Sequence, residues 1–256
     1  MKIDRVIILI TAGLCAAAVF IGTAGPVPFR GDAAAQGYRP TEPADPASAR
    51  PDTEGDPLDQ ARVGIGRLRY GGGGDWYGDP SSLPNLLREF NSRTGIRVAA
   101  SERIVGPGDA DLYTCPFLYM TGHGNVRLSG QEISNLRRHL LQGGFLYADD
   151  NYGLDKSFRR MVAELFPERE LVTVPLDHPI YHCFYQMDGP PKIHEHDGRP
   201  PAGLGIFDGD RLMVFYTVES DIGDGLEDPE VHQDPPGKRE QAARMAVNVL
   251  YYALTR

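Results

Sequence analysis

Two short apolar segments, each ending in a cluster of polar residues, constrain the fold of this chain more than any other feature. The first covers residues 116–121 and ends in Gly-His-Gly at 122–124, and the second covers residues 143–148 and ends in Asp-Asp-Asn at 149–151. A segment of helical length joins them and opens on a capping-box pattern at Ser129. Parallel strands linked by a helix end on the same edge of a sheet, where α/β proteins bind ligands. We therefore expect a functional site at that edge.

The polar residues at these strand ends are the candidate catalytic groups. His123 stands between two glycines, which permit close approach of a ligand, and histidine titrates near neutral pH. Asp149 and Asp150 point to opposite sides of the strand, so one faces the site as a general base or metal-holding carboxylate. Two alternatives stay open. Aspartates near a helix start cap free amide groups, and a loop histidine bonds to a backbone carbonyl.

Ligand contacts are predicted next to these groups. A phosphate loop at the glycine run 71–74 is disfavoured, because no Lys-Ser/Thr pair follows it and Asp75 repels an anion. Trp76 is either a flat platform for a sugar or peptide or a side chain packed into the core. The residues expected to contact a ligand are Asp75, Trp76, Gly122, Gly124, Asn151, Tyr152 and His178.

A long irregular excursion over residues 175–202 contains four of the histidines. Its His-x-His pair, His194 and His196, places both rings on one face of an extended segment, as a zinc site requires. The chain has no HExxH or CxxC pattern, so whether a metal binds is left open and no cofactor is predicted. An acidic loop over residues 219–230 does not match the EF-hand spacing and is interpreted as a solvated loop.

Cysteine chemistry is not expected in this chain. Cys115 opens one strand and Cys183 follows a later one, which places the two thiols near opposite edges of the sheet. A disulfide between them is therefore disfavoured, because it needs Cα atoms within about 7 Å. Nothing in the sequence indicates a lowered thiol pKa at Cys183, so a nucleophilic role is disfavoured as well.

The N-terminal region carries an export signal. Lys2 and Arg5 precede an uncharged, mostly apolar run over residues 6–25, and residues 1–25 are predicted to be a cleaved signal peptide or a membrane anchor. This predicts an extracytoplasmic protein, periplasmic or exported, with residues 6–25 as a tether in the inner membrane if the leader is retained. The net charge of −9 argues against a nucleic-acid partner.

Three regions follow from composition and periodicity. After the leader, residues 26–60 are rich in Pro, Ala and Asp and form a flexible spacer. Residues 61–256 form the folded domain, in which apolar strands alternate with amphipathic helices. We expect a three-layer, flavodoxin-like α/β sandwich with a mostly parallel sheet and an antiparallel hairpin at one edge. The predicted strands cover residues 62–70, 96–100, 112–120, 145–148 and 171–174 and the hairpin 206–215.

The strand-end motifs also carry a family resemblance. The segments at 67–76, 116–124 and 143–150, with His-Pro-Ile at 178–180 and the end at 248–254, resemble a bacterial family of unknown function, number 4159, over about residues 61–255. That family is similar in fold to class I glutamine amidotransferases. In an active amidotransferase the strand matching residues 145–148 ends in a nucleophilic cysteine. Asp149 and Asp150 stand there in this chain, so the resemblance implies that glutaminase activity is absent.

The sequence is consistent with two alternative functions. The first is a non-catalytic module of the cell envelope that binds a small polar ligand or an envelope protein, indicated by the leader, the spacer and the missing cysteine. The alternative is a hydrolase or isomerase acting on a polar, carbohydrate-like substrate, with or without a metal. His123 is then the acid/base, and Asp149 or Asp150 orients it or holds the metal.

Overall fold

A computed structural model describes residues 63–256, and every structural statement below concerns that part of the chain. The predicted leader over 1–25 and spacer over 26–60 lie outside the described residues, so they remain predictions, as does the extracytoplasmic location. Within residues 63–256, no helix is both long enough and apolar enough to cross a membrane.

The described residues form a seven-stranded sheet in the order β2-β1-β3-β4-β7-β6-β5. The strands β2, β1, β3, β4 and β7 run parallel to one another, and β6 and β5 pair antiparallel beyond β7. The predicted mostly parallel sheet with an antiparallel strand pair at one edge is therefore confirmed. The strands are β1 (Ile65–Leu68), β2 (Arg103–Val105), β3 (Phe117–Met120), β4 (Phe145–Asp149), β5 (Val172–Thr173), β6 (Ala202–Asp208) and β7 (Arg211–Val218).

Helices cover both faces of the sheet, which makes the fold a three-layer sandwich. The helices are α1 (Ser82–Thr94), α2 (Gly130–Leu141), α3 (Asp155–Leu165), α4 (Ile222–Leu226), α5 (Pro229–His232) and α6 (Pro236–Thr255), with 3₁₀ helices at Ala110–Thr114 and Pro179–Tyr181. One core lies between the sheet and α1, α4 and α6 and contains Phe90 and Tyr147. The other lies between the sheet and α2 and α3 and contains Leu146 and Phe158.

Local sequence signals explain several of these elements. The Ser129 hydroxyl accepts a hydrogen bond from the Glu132 amide (3.3 Å), and the Glu132 carboxylate accepts one from the Ser129 amide (2.7 Å), so the predicted capping box starts α2. The predicted hairpin joins β6 to β7 through Gly209, whose φ of 59° suits glycine. Cys115 and Cys183 are both free thiols, as expected.

The prediction was wrong at two strands. Residues 96–100 do not form a strand, because Asn91 bonds to both the amide and the carbonyl of Val98, leaving one isolated bridge to Val63. The strand that pairs with β1 is Arg103–Val105 instead. The predicted strand over 112–120 is shortened to Phe117–Met120, since Pro116 has no N–H to donate to the ladder and a 3₁₀ helix precedes it.

Candidate functional site

The carboxyl ends of β1, β3, β4 and β7 meet at one edge of the sheet, where the predicted catalytic aspartates lie. Asp149, the last residue of β4, is fully buried, and it accepts hydrogen bonds from the Gly223 amide at the start of α4 (2.6 Å) and from the Thr217 hydroxyl. Asp150 accepts one from the Leu154 amide at the start of α3 (3.0 Å). Burial raises the pKa of both carboxyl groups. Both aspartates therefore bind backbone amides at the start of a helix, as the alternative interpretation of these residues predicts.

His123 lies in a different contact. Its Nδ1 is 3.1 Å from Oδ2 of Asp75, its amide donates to the same carboxylate, and its side chain is 57% exposed. Within residues 63–256, no hydrogen bond or ion pair links His123 to Asp149 or Asp150. Gly122 has a φ of 125°, and a Cβ there would lie 2.6 Å from the Asp75 carbonyl oxygen. The His123–Asp75 pair therefore joins the loops that follow β3 and β1.

The other predicted ligand contacts separate into two regions. Trp76 is partly buried against the second core, with its ring 5.5 Å from that of Tyr77, and the Gly124 carbonyl accepts a hydrogen bond from Ser157. His178 starts a 3₁₀ helix and lies in a pocket of about 720 Å³ that includes Arg211, the first residue of β7. That pocket is at the opposite end of the strands from Asp149, so His178 does not join the predicted site.

Sequence reasoning missed the densest group of ionisable side chains, which comes together from the excursion, the acidic loop and the segment before α6. We call it the His–Asp cluster. His194 bridges two carboxylates, with Nδ1 2.8 Å from Asp224 Oδ2 and Nε2 3.0 Å from Asp234 Oδ1. His196 Nε2 is 2.6 Å from Asp221 Oδ2. The cluster consists of His194, His196, Asp221, Asp224, His232 and Asp234.

The electrostatics of the cluster are governed by burial and an excess of carboxylates. Burial, followed by the nearby Asp224 carboxylate, raises the pKa of Asp221 to about 8. Burial acts to lower the pKa of His194, but Asp234 and Asp224 outweigh it and the net shift is upward. Burial lowers the pKa of His196. Two buried carboxylate oxygens, Asp221 Oδ1 and Asp234 Oδ2, have no hydrogen-bond partner in the described part of the chain.

One subset of the cluster has the composition of a metal site. His194, Asp224 and His232 each offer one ligand atom, and these atoms all lie within 4.8 Å of one another. The Nε2 atom of His232 is 3.6 Å from Asp224 Oδ1, and the two histidine rings are 5.2 Å apart. Imidazole nitrogen and carboxylate oxygen are the donors that hold zinc and related ions.

Asp79 and Asn151 connect this cluster to the strand ends. The Asn151 side-chain amide donates to both carboxylate oxygens of Asp79 (2.7 and 2.6 Å), and its carbonyl accepts from Thr121 (2.9 Å). Burial raises the pKa of Asp79 to about 6, with Asp224 acting in the same direction. Asn151, predicted as a ligand contact, therefore lies buried between the strand end and the cluster.

Backbone strain is concentrated around the same group. In residues 63–256, the non-glycine positions with positive φ are Asp79, Tyr152, Glu219, Asp221 and Gln233. Asp221 is a member of the cluster, and Glu219 and Gln233 lie within two residues of a member. Tyr152 follows Asn151 in the chain, and Asp79 bonds to the Asn151 side chain. Residues held in the left-handed region cost of order 1–3 kcal/mol each and tend to occur at functional sites.

An open pocket of about 610 Å³ gives access to the cluster. Tyr152 forms part of its wall with its side chain 56% exposed, and the tyrosine ring is 5.1 Å from the ring of His196. The pocket is lined by Asn151, Tyr152, His194, Glu195, His196 and Asp221. It combines carboxylate and amide acceptors with one exposed aromatic ring.

Gly223 provides a test of how tightly the strand-end carboxylates are packed. A Cβ at Gly223 would clash with Asp79 Oδ2 and lie 2.6 Å from the buried Tyr119 hydroxyl, so Gly223→Ala is expected to lower the free energy of unfolding by about 1–3 kcal/mol. The control is Gly237→Ala in α6, where an added Cβ would have no neighbouring atom within 4 Å. Little change or a slight stabilisation is expected there. Urea denaturation of both variants measures the difference, and equal stabilities would contradict the packing described here.

The sequence contained partial signals for this cluster. His194 and His196 stand out as a His-x-His pair, and both rings do face the acidic loop. Asp221 and Asp224 were assigned to a solvated loop, although Asp221 is only 3% exposed. His232 and Asp234 carry no motif of their own, since a His-x-Asp pair in a loop is common and has no fixed spacing from the other members.

Fold and site together define the class: a flavodoxin-like α/β domain with a polar pocket at the carboxyl edge of its parallel strands. Residues 64–254 match the family described as "Domain of unknown function (DUF4159)", and the chain belongs to that family. No curated protein matches this chain. The predicted similarity to class I glutamine amidotransferases remains a prediction.

Proposed function

We propose that this domain is a non-catalytic binding module that takes a small, hydroxyl-rich ligand of the carbohydrate type in the pocket beside the His–Asp cluster. The observation that carries the proposal is the open pocket of about 610 Å³, which brings the polar side chains of Asn151, His194 and Asp221 beside the exposed ring of Tyr152. A ligand hydroxyl group both donates and accepts hydrogen bonds, so it can pair with carboxyl, amide and imidazole groups such as these.

The remaining walls of the pocket fit the same ligand class. Tyr152 presents a largely exposed ring whose hydroxyl donates to Asp197 (3.3 Å), and an aromatic face of this kind packs against the apolar C–H face of a sugar. Glu195 in the lining and the neighbouring Asp224 and Asp234 make this region acidic, which favours neutral or cationic ligands over anions. A few well-placed polar groups beside an aromatic surface are typical of small-molecule sites.

Binding is favoured over catalysis by the positions of the predicted catalytic groups. Asp149 and Asp150 are engaged at the starts of α4 and α3, and His123 pairs with Asp75. These contacts do not support a hydrolase or isomerase built on His123 and the two aspartates. Burial raises the thiol pKa of Cys115, and raises that of Cys183 to about 11, so both thiols stay protonated at neutral pH.

The leader over residues 1–25 motivates the wider context of the proposal. An exported or membrane-anchored chain would present this pocket outside the cytoplasm, to free sugars or to the glycan of an envelope partner. Fractionation of cells expressing the full chain tests this placement. Recovery in the cytoplasmic fraction would contradict it.

The ligand class is tested by calorimetric titration of the chelator-treated full chain with glucose, galactose, glucosamine and myo-inositol. We expect at least one of them to bind. Tyr152→Ala and Asp221→Asn should each weaken that binding by about three- to tenfold, since a hydrogen bond or an aromatic contact is worth about 0.5–1.5 kcal/mol. His123→Ala is the matched control and should bind as the wild type does. No binding by any of the four probes, or equal loss in the control, would overturn the proposal.

A further inference from the structure

We infer that His194, Asp224 and His232 form a binding site for one divalent transition-metal ion of the Zn²⁺ type. The site stands on contacts that do not involve the proposed sugar ligand. A further point, that a ligand oxygen from the pocket completes the coordination, rests on the proposed function.

The spacing of the three donor groups fits a single ion. Two ligand atoms bound tetrahedrally at about 2.0–2.1 Å from zinc lie about 3.4 Å apart. The Asp224 carboxylate has one oxygen 2.8 Å from His194 Nδ1 and the other 3.6 Å from His232 Nε2, and one donor atom from each residue lies within 4.8 Å of the others. Binding of one ion therefore requires the three side chains to draw closer together. Three protein ligands leave one position open.

A neighbouring carboxylate orients the first histidine as metal sites usually require. Asp234 Oδ1 lies 3.0 Å from His194 Nε2, so in a metal-bound form it would accept the Nε2 proton and leave Nδ1, the nitrogen beside Asp224, to bind the ion. Metal-binding histidines commonly donate their second ring N–H to a carboxylate in this way, which fixes the tautomer and raises the basicity of the ligand nitrogen.

An independent observation indicates that a cation belongs here. Asp221 and Asp234 have side chains that are 5% and 6% exposed, and each retains a buried oxygen with no partner in the described part of the chain. Asp221 Oδ2 is also 3.5 Å from His194 Nδ1. Buried carboxylates are normally paired with a cation or bound to a metal ion.

The donor set selects the class of ion. Two imidazole nitrogens and one carboxylate suit zinc and the neighbouring first-row metals, whereas calcium and magnesium prefer six or more oxygen ligands. An acidic cluster acting alone would bind Ca²⁺ through its carboxylates. Comparing Zn²⁺ with Ca²⁺ therefore separates a histidine-based site from an acidic surface.

The experiment titrates the untagged full chain, stripped with a chelator and free of sugar, with Zn²⁺ by calorimetry, and records the visible absorption spectrum with Co²⁺. We expect one Zn²⁺ per chain, a Co²⁺ spectrum typical of four-coordination, and much weaker binding of Ca²⁺. His232→Ala and Asp224→Asn should weaken Zn²⁺ binding by at least about 10–100-fold, the loss produced even by changes next to metal ligands. His232 is partly exposed, so its replacement leaves the core intact.

His123→Ala is the matched control, because His123 also pairs with an aspartate but lies outside the cluster. Absence of stoichiometric Zn²⁺ binding, unchanged affinity in His232→Ala, or Ca²⁺ binding as tight as Zn²⁺ would each overturn the inference and leave an ion-pair network only. If the chain binds Zn²⁺ but none of the four sugar probes, the proposed function is overturned and the metal site is not. If the chelator-treated chain binds a sugar but not Zn²⁺, the metal site is overturned and the proposed function is not.

Discussion

Replacing Arg67 with alanine is expected to lower the free energy of unfolding by about 3–5 kcal/mol, the usual cost of removing one partner of a buried ion pair. Arg67 lies on β1 and is 2% exposed. Its guanidinium binds both carboxylate oxygens of Glu102 (2.9 and 3.2 Å) and donates to the backbone carbonyls of Gly78 and Asp79 (2.8 and 3.2 Å). The substitution would leave a largely buried carboxylate and two carbonyl oxygens without these donors.

The control is Arg69→Ala, two residues along the same segment. Arg69 pairs with Asp109 at 3.2 Å, but both side chains are largely exposed, so the expected loss is about 0–1 kcal/mol. Urea denaturation of the wild type and both variants at neutral pH provides the measurement. Similar losses at the two positions would show that Arg67 does not hold the Asp79 loop against the sheet in the way described.

Replacing Asp221 with asparagine is expected to stabilise the folded chain at pH 8, by at least about 1.4 kcal/mol, the equivalent of one pKa unit. Burial, together with Asp224, raises the pKa of Asp221 from 3.8 to about 8. Ionising this carboxyl group is therefore harder in the folded state than in the unfolded state. The wild type loses stability as the pH rises from about 4 to about 8, and asparagine removes that loss. The backbone of Asp221 is left-handed, with a φ of 57°, and asparagine also tolerates that conformation.

The measurement is the unfolding free energy of the metal-free wild type and Asp221→Asn at pH 4.5, 6.5 and 8. The advantage of the variant should grow with pH and be smallest at pH 4.5. Asp210→Asn, in the exposed hairpin turn, is the control and should show no such trend. A variant less stable than the wild type at every pH would contradict the prediction. The charged and titratable groups around Asp221 are His194, His196, Asp224, Asp150, Asp149 and Asp79.

The two expectations for Asp221 together distinguish a functional residue from a structural one. The same Asp221→Asn change should increase stability and weaken binding of the proposed ligand. Functional sites often trade stability for activity in this way, because their charges are placed for a ligand and not for the fold. A structural residue would lose stability when changed and would leave binding to the folded protein unaffected.

Local sequence signals were sufficient wherever neighbouring residues decide the structure. The capping box at Ser129, the strand ending at Asp149 and the hairpin around Gly209 all depend on residues a few positions apart. The strand predicted at 96–100 failed because Asn91, several residues away in α1, takes both backbone groups of Val98. Apolar alternation could not reveal that competing hydrogen bond.

The sequence by itself determined the α/β sandwich, the edge at which the parallel strands end, and the presence of Asp149 and Asp150 there, since periodicity and strand–helix alternation are encoded locally. Only the tertiary structure decided that both aspartates bond to amides at helix starts, that His123 pairs with Asp75, and that His194 meets Asp224, His232 and Asp234. The cluster joins side chains up to 40 residues apart in the chain. Their meeting depends on how the excursion and the acidic loop pack over the sheet, which no local pattern specifies.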